Sequence, residues 1–192
     1  MIYKPLRADI RQERAEKLVD ILIESGYSFA SGVPDAVLKY IIDEFDNREE
    51  ILHVQAVREG EAIGICAGAS LGGRRAIAYM QNSGFFNSLH DISSLLITYD
   101  IPILFIISWR GCPHSKYETA VHHFIDGINM LKVLKMLGID YRIVDIEDSV
   151  ADVLTDMDFY LRIRHKILPI KKLKDFLEED ELKALLILRG VF

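Results

Sequence analysis

A run of apolar residues at 101–108 constrains the fold of this chain more than any other segment. A strand with one face in water alternates apolar and polar residues, whereas a run without alternation is typical of a central parallel strand covered by helices on both faces. Elsewhere, segments with helical apolar spacing alternate with short apolar runs, as in the predicted helix over 15–23 and the predicted strand over 27–31. The pattern predicts an α/β three-layer sandwich with a mostly parallel sheet, whose ligands bind at the carboxyl ends of the strands.

Composition excludes several classes of function. The chain has 192 residues, half of them hydrophobic, which suits one sizeable domain. Its net charge of -6 provides no field that would attract nucleic acid. The apolar segment 63–73 is about half of the roughly 20 residues that span a bilayer, and the charged first residues do not read as a signal peptide, so we expect no membrane contact. Cys66 and Cys112 lie in different predicted environments, which gives a disulfide no support and favours a cytoplasmic location.

We expect residues 1–165 to form the domain and residues 166–192 to form a C-terminal tail. From His165 the chain is lysine-rich, then acidic, then apolar at 185–188. This pattern is compatible with two alternatives. In one, the tail forms a last helix or strand that docks on a partner; in the other, it is a solvated, partly ordered terminus. Before the tail, a helix is expected from about Asp148.

A glycine every fourth residue marks one predicted helix. A glycine inside a helix costs roughly 1 kcal/mol relative to alanine, so such a flat face is useful where another backbone or a flat ligand approaches closely. A tightly crossed helix pair, in the fold or at a dimer interface, is the alternative. Glu59 stands where a predicted strand gives way to this helix, although a carboxylate there also interacts favourably with the helix dipole, and Glu61 is a competing carboxylate. The glycines are Gly60, Gly64, Gly68 and Gly72.

Five segments, in this order, resemble the pyrimidine-binding domain of the sulfopyruvate and phosphonopyruvate decarboxylases, which are thiamine diphosphate enzymes. The resemblance covers residues 27–144. The segments are Ser-Gly-Val-Pro-Asp at 31–35, Arg-Glu-Gly-Glu-Ala-Ile-Gly at 58–64, Tyr-Met-Gln-Asn-Ser-Gly at 79–84, Tyr-Asp-Ile-Pro at 99–102 and Ser-Trp-Arg-Gly at 108–111.

The resemblance implies thiamine diphosphate as cofactor and Glu59 as its activating residue. In the family, the glutamate that opens the small-residue helix hydrogen-bonds N1′ of the aminopyrimidine. The cofactor's own 4′-imino nitrogen becomes basic only when N1′ shares a proton with a carboxyl group, so a carboxyl is required there. The other expected cofactor-binding residues follow two predicted strands, although turn formation explains the Asn-Ser-Gly sequence equally well. They are Val33, Pro34, Gln81, Asn82 and Ser83.

Three residues are candidates for binding the substrate: Asp35, Asn87 and Arg110. Asp35 is also a plausible helix cap. Before Asn87, Phe85 and Phe86 replace the more usual Leu-Gly of the family, and we expect the two rings to narrow or re-shape the pocket. Arg110 suits a sulfonate or phosphonate because a guanidinium makes paired hydrogen bonds, but it could equally pair with Asp100 or another carboxylate.

The adjacent histidines His122 and His123 resemble a family feature that exchanges protons with the reaction intermediate, which suits a side chain titrating near neutrality. Two surface histidines before a helix are the alternative. The loop over 112–119 does not match the family's usual loop, so the alignment of this pair stays open by a residue or two.

The sequence has no metal-ligand spacing and no Gly-Asp-Gly segment, which in thiamine diphosphate enzymes helps to bind magnesium and the diphosphate. The resemblance therefore implies a separate beta subunit that holds the diphosphate and Mg²⁺, and an alpha-beta hetero-oligomer with paired subunits. We expect the alpha subunit of a decarboxylase acting on an anionic 2-oxo acid such as 3-sulfopyruvate. The alternatives are a phosphonopyruvate decarboxylase, a carboligase of the same fold, and a non-catalytic flavodoxin-like assembly subunit.

Overall fold

The computed structural model describes residues 8–117, 120–146 and 149–192. Within these residues, seven strands form a single sheet whose paired neighbours all run parallel. The strands are β1 (Tyr27–Gly32), β2 (Leu52–Gln55), β3 (Arg75–Gln81), β4 (Leu104–Ser108), β5 (Asp140–Asp145), β6 (Ile167–Pro169) and β7 (Lys183–Ile187). Their order across the sheet is β2-β1-β3-β4-β7-β5-β6. A parallel sheet was expected from the sequence, and this expectation is confirmed.

Helices connect the strands. They are α1 (Ala8–Glu24), α2 (Lys39–Asn47), α3 (Glu59–Leu71), α4 (Asn82–Asn87), α5 (Leu89–Asp91), α6 (Phe124–Met136), α7 (Ser149–Val153), α8 (Met157–Ile163) and α9 (Leu173–Leu177). The segment Ile92–Ile97 is a π-helix that continues α5, and Val121–His123 is a short 3₁₀ turn before α6. Of the helix expected from about Asp148, Glu147 and Asp148 lie outside the described residues, and α7 begins at Ser149.

The central position of the apolar run at 101–108 is confirmed. All five residues of β4 are buried, and because successive side chains of a strand point to opposite faces, both faces of the sheet are covered there. This burial on both faces makes the fold the expected three-layer sandwich. The strand begins at Leu104, later than predicted, because Pro102 has no N–H for a ladder and Asp100 turns the chain with a φ of 52°.

The expected boundary at residue 165 is wrong, because residues 166–192 complete the same sheet. Strand β7 pairs with β4 on one side, where Ile106 faces Leu185, and with β5 on the other, where Tyr141 faces Ala184. All residues of β7 are buried. A strand paired along both edges is neither a solvated terminus nor a segment able to dock on a partner by its edge. The apolar stretch at 185–188 thus belongs to the sheet, like β4.

Neither cysteine is in a disulfide, and both are buried. Burial raises the pKa of the Cys66 thiol to about 12, and the thiol donates a hydrogen bond to the carbonyl of Ile77 at 3.2 Å. Cys66 is therefore a packing residue rather than a nucleophile. Across the described residues, no helix has both the length and the apolar character that a bilayer crossing requires.

Candidate active site

The carboxyl ends of four strands meet at one edge of the sheet. Gly32 at the end of β1 lies beside Gln55 of β2 and Tyr79 of β3, and Gln81 at the end of β3 lies beside Ser108 of β4. The loops that follow these strands carry most of the residues singled out from the sequence. Their convergence here follows from parallel pairing, which directs equivalent ends to the same edge.

Glu59 is the first residue of α3, and its side chain lies against Gly84 of α4. The contact is so close that a Cβ added at Gly84 would overlap the Glu59 carboxyl group. Glu59 is half-buried, whereas the side chains next to it in the helix, Ala62 and Ile63, have no exposed surface. The helix start thus holds one carboxyl group in a fixed position, over apolar packing and beside a residue without a side chain.

Glu61, the competing carboxylate, serves the helix itself. Its Oε2 accepts a hydrogen bond from the backbone N–H of Val57 at 2.9 Å, and the residue is exposed. The Glu61 side chain reaches back across the first turn of α3 to Val57, the residue before the N-cap Arg58, and so fixes the start of the helix. The structure therefore separates two carboxylates that stand two residues apart: Glu61 caps, and Glu59 faces the strand edge.

The glycine face of α3 is open at its centre. Gly60 packs against the Asp91 carboxylate of α5, which is 2.5 Å from where a Cβ would stand. Gly64 and Gly68 are exposed, and no described atom outside the helix lies within 4 Å of a Cβ added to either of them. A tight helix pair within the fold, one of the two alternatives, is therefore wrong for these two residues.

Gln81, Ser83 and His123 form one polar cluster. The Nε2 of Gln81 donates to the Ser83 hydroxyl at 2.9 Å and lies 3.3 Å from Nδ1 of His123. His123 is buried, His122 is exposed, and their ring centroids are 4.1 Å apart. The structure thus distinguishes the two histidines: His123 is buried against Gln81, the last residue of β3, whereas His122 is exposed.

Asn82 is a structural residue in this site. Its side chain is completely buried; Nδ2 donates to the carbonyl of Arg110 at 2.9 Å, and Oδ1 accepts from the Arg110 backbone N–H at 3.2 Å. The amide therefore fastens the loop after β4 to the start of α4. The expectation that the Asn82 side chain contacts the cofactor is not supported by this position.

Arg110 and Asp35, both expected to bind substrate, pair with each other. Arg110 Nη1 lies 3.6 Å from Asp35 Oδ2, and the two side chains are 15% and 6% exposed. The other oxygen of Asp35 accepts from the backbone N–H of Val37 at 2.8 Å, which is a bond within the turn before α2. The expectation that Asp35 caps this helix is wrong, because α2 begins at Lys39 and its N-cap is Leu38. The sequence suggested Asp100 or another carboxylate as a partner of Arg110, and in the described structure Arg110 pairs with another carboxylate, Asp35.

The remaining predicted residues are distributed around this edge. Val33 is half-buried, with its backbone N–H bonded to the carbonyl of Tyr79 at 3.3 Å, and Pro34 is exposed. Asn87 is exposed at the end of α4. Phe85 does not re-shape the pocket as expected, because it is completely buried and packs edge-to-face on Phe105 at 5.2 Å. Only Phe86, which is half-buried, is left to do so.

Sequence reasoning missed the backbone packing that positions His123. Gly111 has a φ of 67°, and a Cβ there would overlap the backbone carbonyl of His123. Gly127 of α6 is pressed against Gly111 in the same way, and the Trp109 indole N–H donates to the Gly127 carbonyl at 2.9 Å. Gly111 belongs to the Ser-Trp-Arg-Gly segment, but no local pattern shows that it contacts a helix this far along the chain.

A cavity of about 320 Å³ adjoins Asp35, with Pro34, Lys39 and Gln55 among its lining residues. Gln55, the last residue of β2, lines this cavity although no feature of the sequence singled it out. Within residues 8–117, 120–146 and 149–192, no three histidine, cysteine or acidic side chains stand together so that they could hold a metal ion.

Comparison with known proteins gives consistent matches. Residues 13–140 match the family model for the thiamine pyrophosphate enzyme, N-terminal TPP binding domain. The sulfopyruvate decarboxylase subunit alpha of Methanococcus maripaludis is 44% identical over 107 residues, which is 56% of this chain and 64% of that protein. A phosphonopyruvate decarboxylase of Streptomyces viridochromogenes is 36% identical over 114 residues, covering 59% of this chain and 28% of the relative. The chain thus spans less than two thirds of these curated relatives.

A solved structure shares the fold. The thiamine diphosphate-dependent 4-hydroxybenzoylformate decarboxylase of Rhodococcus jostii superposes with a TM-score of 0.57 at 12% identity, over 92% of this chain and 30% of the other. At that identity the likeness concerns the fold alone.

Proposed function

This chain belongs to the thiamine pyrophosphate enzymes, as the five sequence segments indicated, and from that premise we propose that it is the alpha subunit of a decarboxylase acting on an anionic 2-oxo acid such as 3-sulfopyruvate. The relatives of known name at 40–44% identity are all called sulfopyruvate decarboxylase subunit alpha, which supports both the reaction and the division into subunits.

The position of Glu59 is the observation that carries this proposal. A ring nitrogen that must share a proton needs a carboxyl group held in place at a ligand-binding edge, and Glu59 is fixed there between α3 and Gly84. The missing side chains at Gly84 and Gly60 keep the carboxyl group and its surroundings close-packed. These residues fit an aminopyrimidine. When bound, thiamine diphosphate supplies the carbon nucleophile and the electron sink that decarboxylation of a 2-oxo acid requires.

The residues of this chain would have different roles in the reaction. Glu59 would hold a proton at its carboxyl oxygen against the pyrimidine N1′. Gln81 and Ser83 would line the same edge, with Gln81 orienting His123, whose ring nitrogen is suited to moving a proton near neutral pH. His122, being exposed, would face solvent or a partner. Arg110 would meet an anionic substrate only in competition with Asp35, which already neutralises much of its charge.

We further propose that a beta subunit holds the diphosphate and its Mg²⁺ and completes the site. The subunit names of the relatives support this partnership. In that arrangement Val33 and Pro34, which follow β1 at the carboxyl edge of the sheet, would be this chain's contacts with the cofactor.

The experiment compares Glu59→Gln with Glu61→Gln in the co-expressed alpha-beta complex. Removing the charge of Glu59 should reduce carbon dioxide release from sulfopyruvate to less than a tenth, because a glutamine cannot hold and return the proton. Glu61→Gln should retain most activity, since its amide oxygen can still accept from Val57. Circular dichroism of both variants should match the parent chain. A Glu59→Gln complex with more than a tenth of the activity would refute the assignment.

The substrate has one supported alternative. The 36% identity to a phosphonopyruvate decarboxylase favours phosphonopyruvate as the second candidate, since the phosphonate is also a tetrahedral anion beside the keto acid. Measuring kcat/KM for sulfopyruvate and phosphonopyruvate with the same complex decides between them.

A further inference from the structure

A separate cavity of about 610 Å³ lies at the opposite edge of the sheet, where α6 ends and β5 and β6 begin. All strands run parallel, so this amino-terminal edge is distant from Glu59 and Arg110. Its volume is within the range of roughly 300–1,000 Å³ that is usual for small-molecule pockets. The cavity is therefore large enough for a metabolite-sized ligand.

The lining combines apolar and basic side chains. Leu131, Ile139 and Tyr141 contribute apolar surface. The cavity is also lined by four basic residues and by one acidic residue, Asp140. Its lining is therefore basic, although the whole chain carries a net charge of -6. The basic residues are Lys132, Lys135, His165 and Lys166. The lysine-rich segment noted from His165 onward in the sequence thus contributes to this cavity.

The carboxylate of Asp140, the acidic residue in the lining, already accepts several hydrogen bonds. Asp140 accepts hydrogen bonds from Lys166 Nζ at 2.6 Å, from Arg142 Nη1 at 2.9 Å and from the Tyr141 backbone N–H at 2.8 Å. One carboxylate thus faces two cations, which leaves that group positive. Among the described residues, Lys132 and Lys135 form no ion pair; Lys132 donates a hydrogen bond to the neutral side-chain oxygen of Asn129 at 3.3 Å. Positive charge in the cavity is therefore uncompensated.

We propose that this cavity binds a small organic anion: a phosphate or sulfonate group on an apolar body. The tetrahedral group would contact Lys132, Lys135 and Lys166, whose ammonium groups donate to its oxygens. The apolar body would cover Leu131 and Ile139. A concave site of this size suits a small molecule rather than a large polyanion. Helix α6 runs from the His123 turn to Lys135, about 20 Å at 1.5 Å per residue, so an occupant touches the helix that begins beside the candidate active site.

The test is calorimetric titration of the full chain with phenyl phosphate and, separately, with inorganic phosphate. Wild-type protein is compared with Lys132→Gln/Lys135→Gln and with a control of equal charge change, Lys171→Gln/Lys172→Gln, whose lysines are exposed and outside the cavity. Calorimetry measures binding itself. A melting temperature would combine ligand binding with the loss of the favourable interaction between these lysines and the dipole of α6.

Phenyl phosphate should bind the wild type and the control equally and the cavity variant at least tenfold more weakly. Tighter binding of phenyl phosphate than of inorganic phosphate assigns a phosphorylated organic ligand; equal affinity assigns free phosphate as the occupant. Absence of binding by either probe, or equal weakening in both variants, overturns the proposal, as does undiminished binding by the cavity variant. Should the double variant not fold, Lys135→Gln alone is held to the same comparison.

Discussion

At the scale of single residues, the candidate site depends on where side chains are missing. Gly84 lies in α4 without a left-handed φ, so its backbone does not demand glycine, yet the Glu59 side chain occupies the space of its Cβ. The same holds for Gly60 beside Asp91. The space at these glycines determines where the two carboxyl groups stand. For Glu59, the described structure contains no hydrogen bond that would fix the carboxyl group instead.

Gly84→Ala should therefore displace the Glu59 carboxyl group and reduce decarboxylation at least tenfold. The fold should persist, because alanine is favoured over glycine in a helix by up to about 1 kcal/mol. Carbon dioxide release and urea unfolding, measured on the same preparation, separate the two effects. An active Gly84→Ala complex would show that Glu59 does not need this packing.

At the scale of elements, α3 keeps two glycines that the described chain does not require. Gly64 and Gly68 are exposed in the middle of the helix with open space where a Cβ would be. Their backbone adopts ordinary helical angles. Since glycine is unfavourable in a helix, the free chain is less stable than it could be.

Gly64→Ala and Gly68→Ala should each raise the free energy of unfolding of the isolated chain by about 1 kcal/mol. Urea unfolding followed by circular dichroism measures this change. Gly111→Ala is the matched contrast and should destabilise, since its φ of 67° and its contact with His123 leave no room for a methyl group. Destabilisation by the α3 substitutions would contradict the open face.

At the scale of the whole molecule, the last strand joins the two halves of the sheet. Strand β7 lies between β4 and β5, so β5 and β6 reach the rest of the sheet only through it. Its first residue, Lys183, is 3% exposed and donates to the carbonyls of Phe176 and Glu179 at 3.0 and 3.1 Å. A buried lysine at this position stays solvated by backbone oxygens.

Leu185→Ala should lower the free energy of unfolding by about 2–5 kcal/mol, because it leaves a cavity in a fully buried strand. Leu161→Ala, on α8, is the control and should change stability by about 1 kcal/mol or less, since that side chain is 48% exposed. Equal effects of the two substitutions in urea unfolding would mean that β7 is not part of the core.

The sequence by itself determined the features that depend on neighbours along the chain. The unbroken apolar run of β4 indicated a strand covered on both faces, and the five segments indicated the family, with Glu59 as its candidate cofactor-activating residue. Glu61 was recognised from the sequence only as a competing carboxylate, and its contact with Val57 became known from the structure. The strand is specified by residues that are close in sequence, so a local pattern contains its physical cause, whereas the family was indicated by resemblance.

Only the tertiary structure decided which distant groups meet. It inserted β7 between β4 and β5, paired Arg110 with Asp35, turned the Asn82 amide to the Arg110 backbone and separated His123 from His122. Each outcome results from packing and charge between residues far apart along the chain, which depend on the whole sheet being assembled. The apolar run at 185–188 could indicate a strand, but its place in the sheet depends on β4 and β5, the two strands that pair with it.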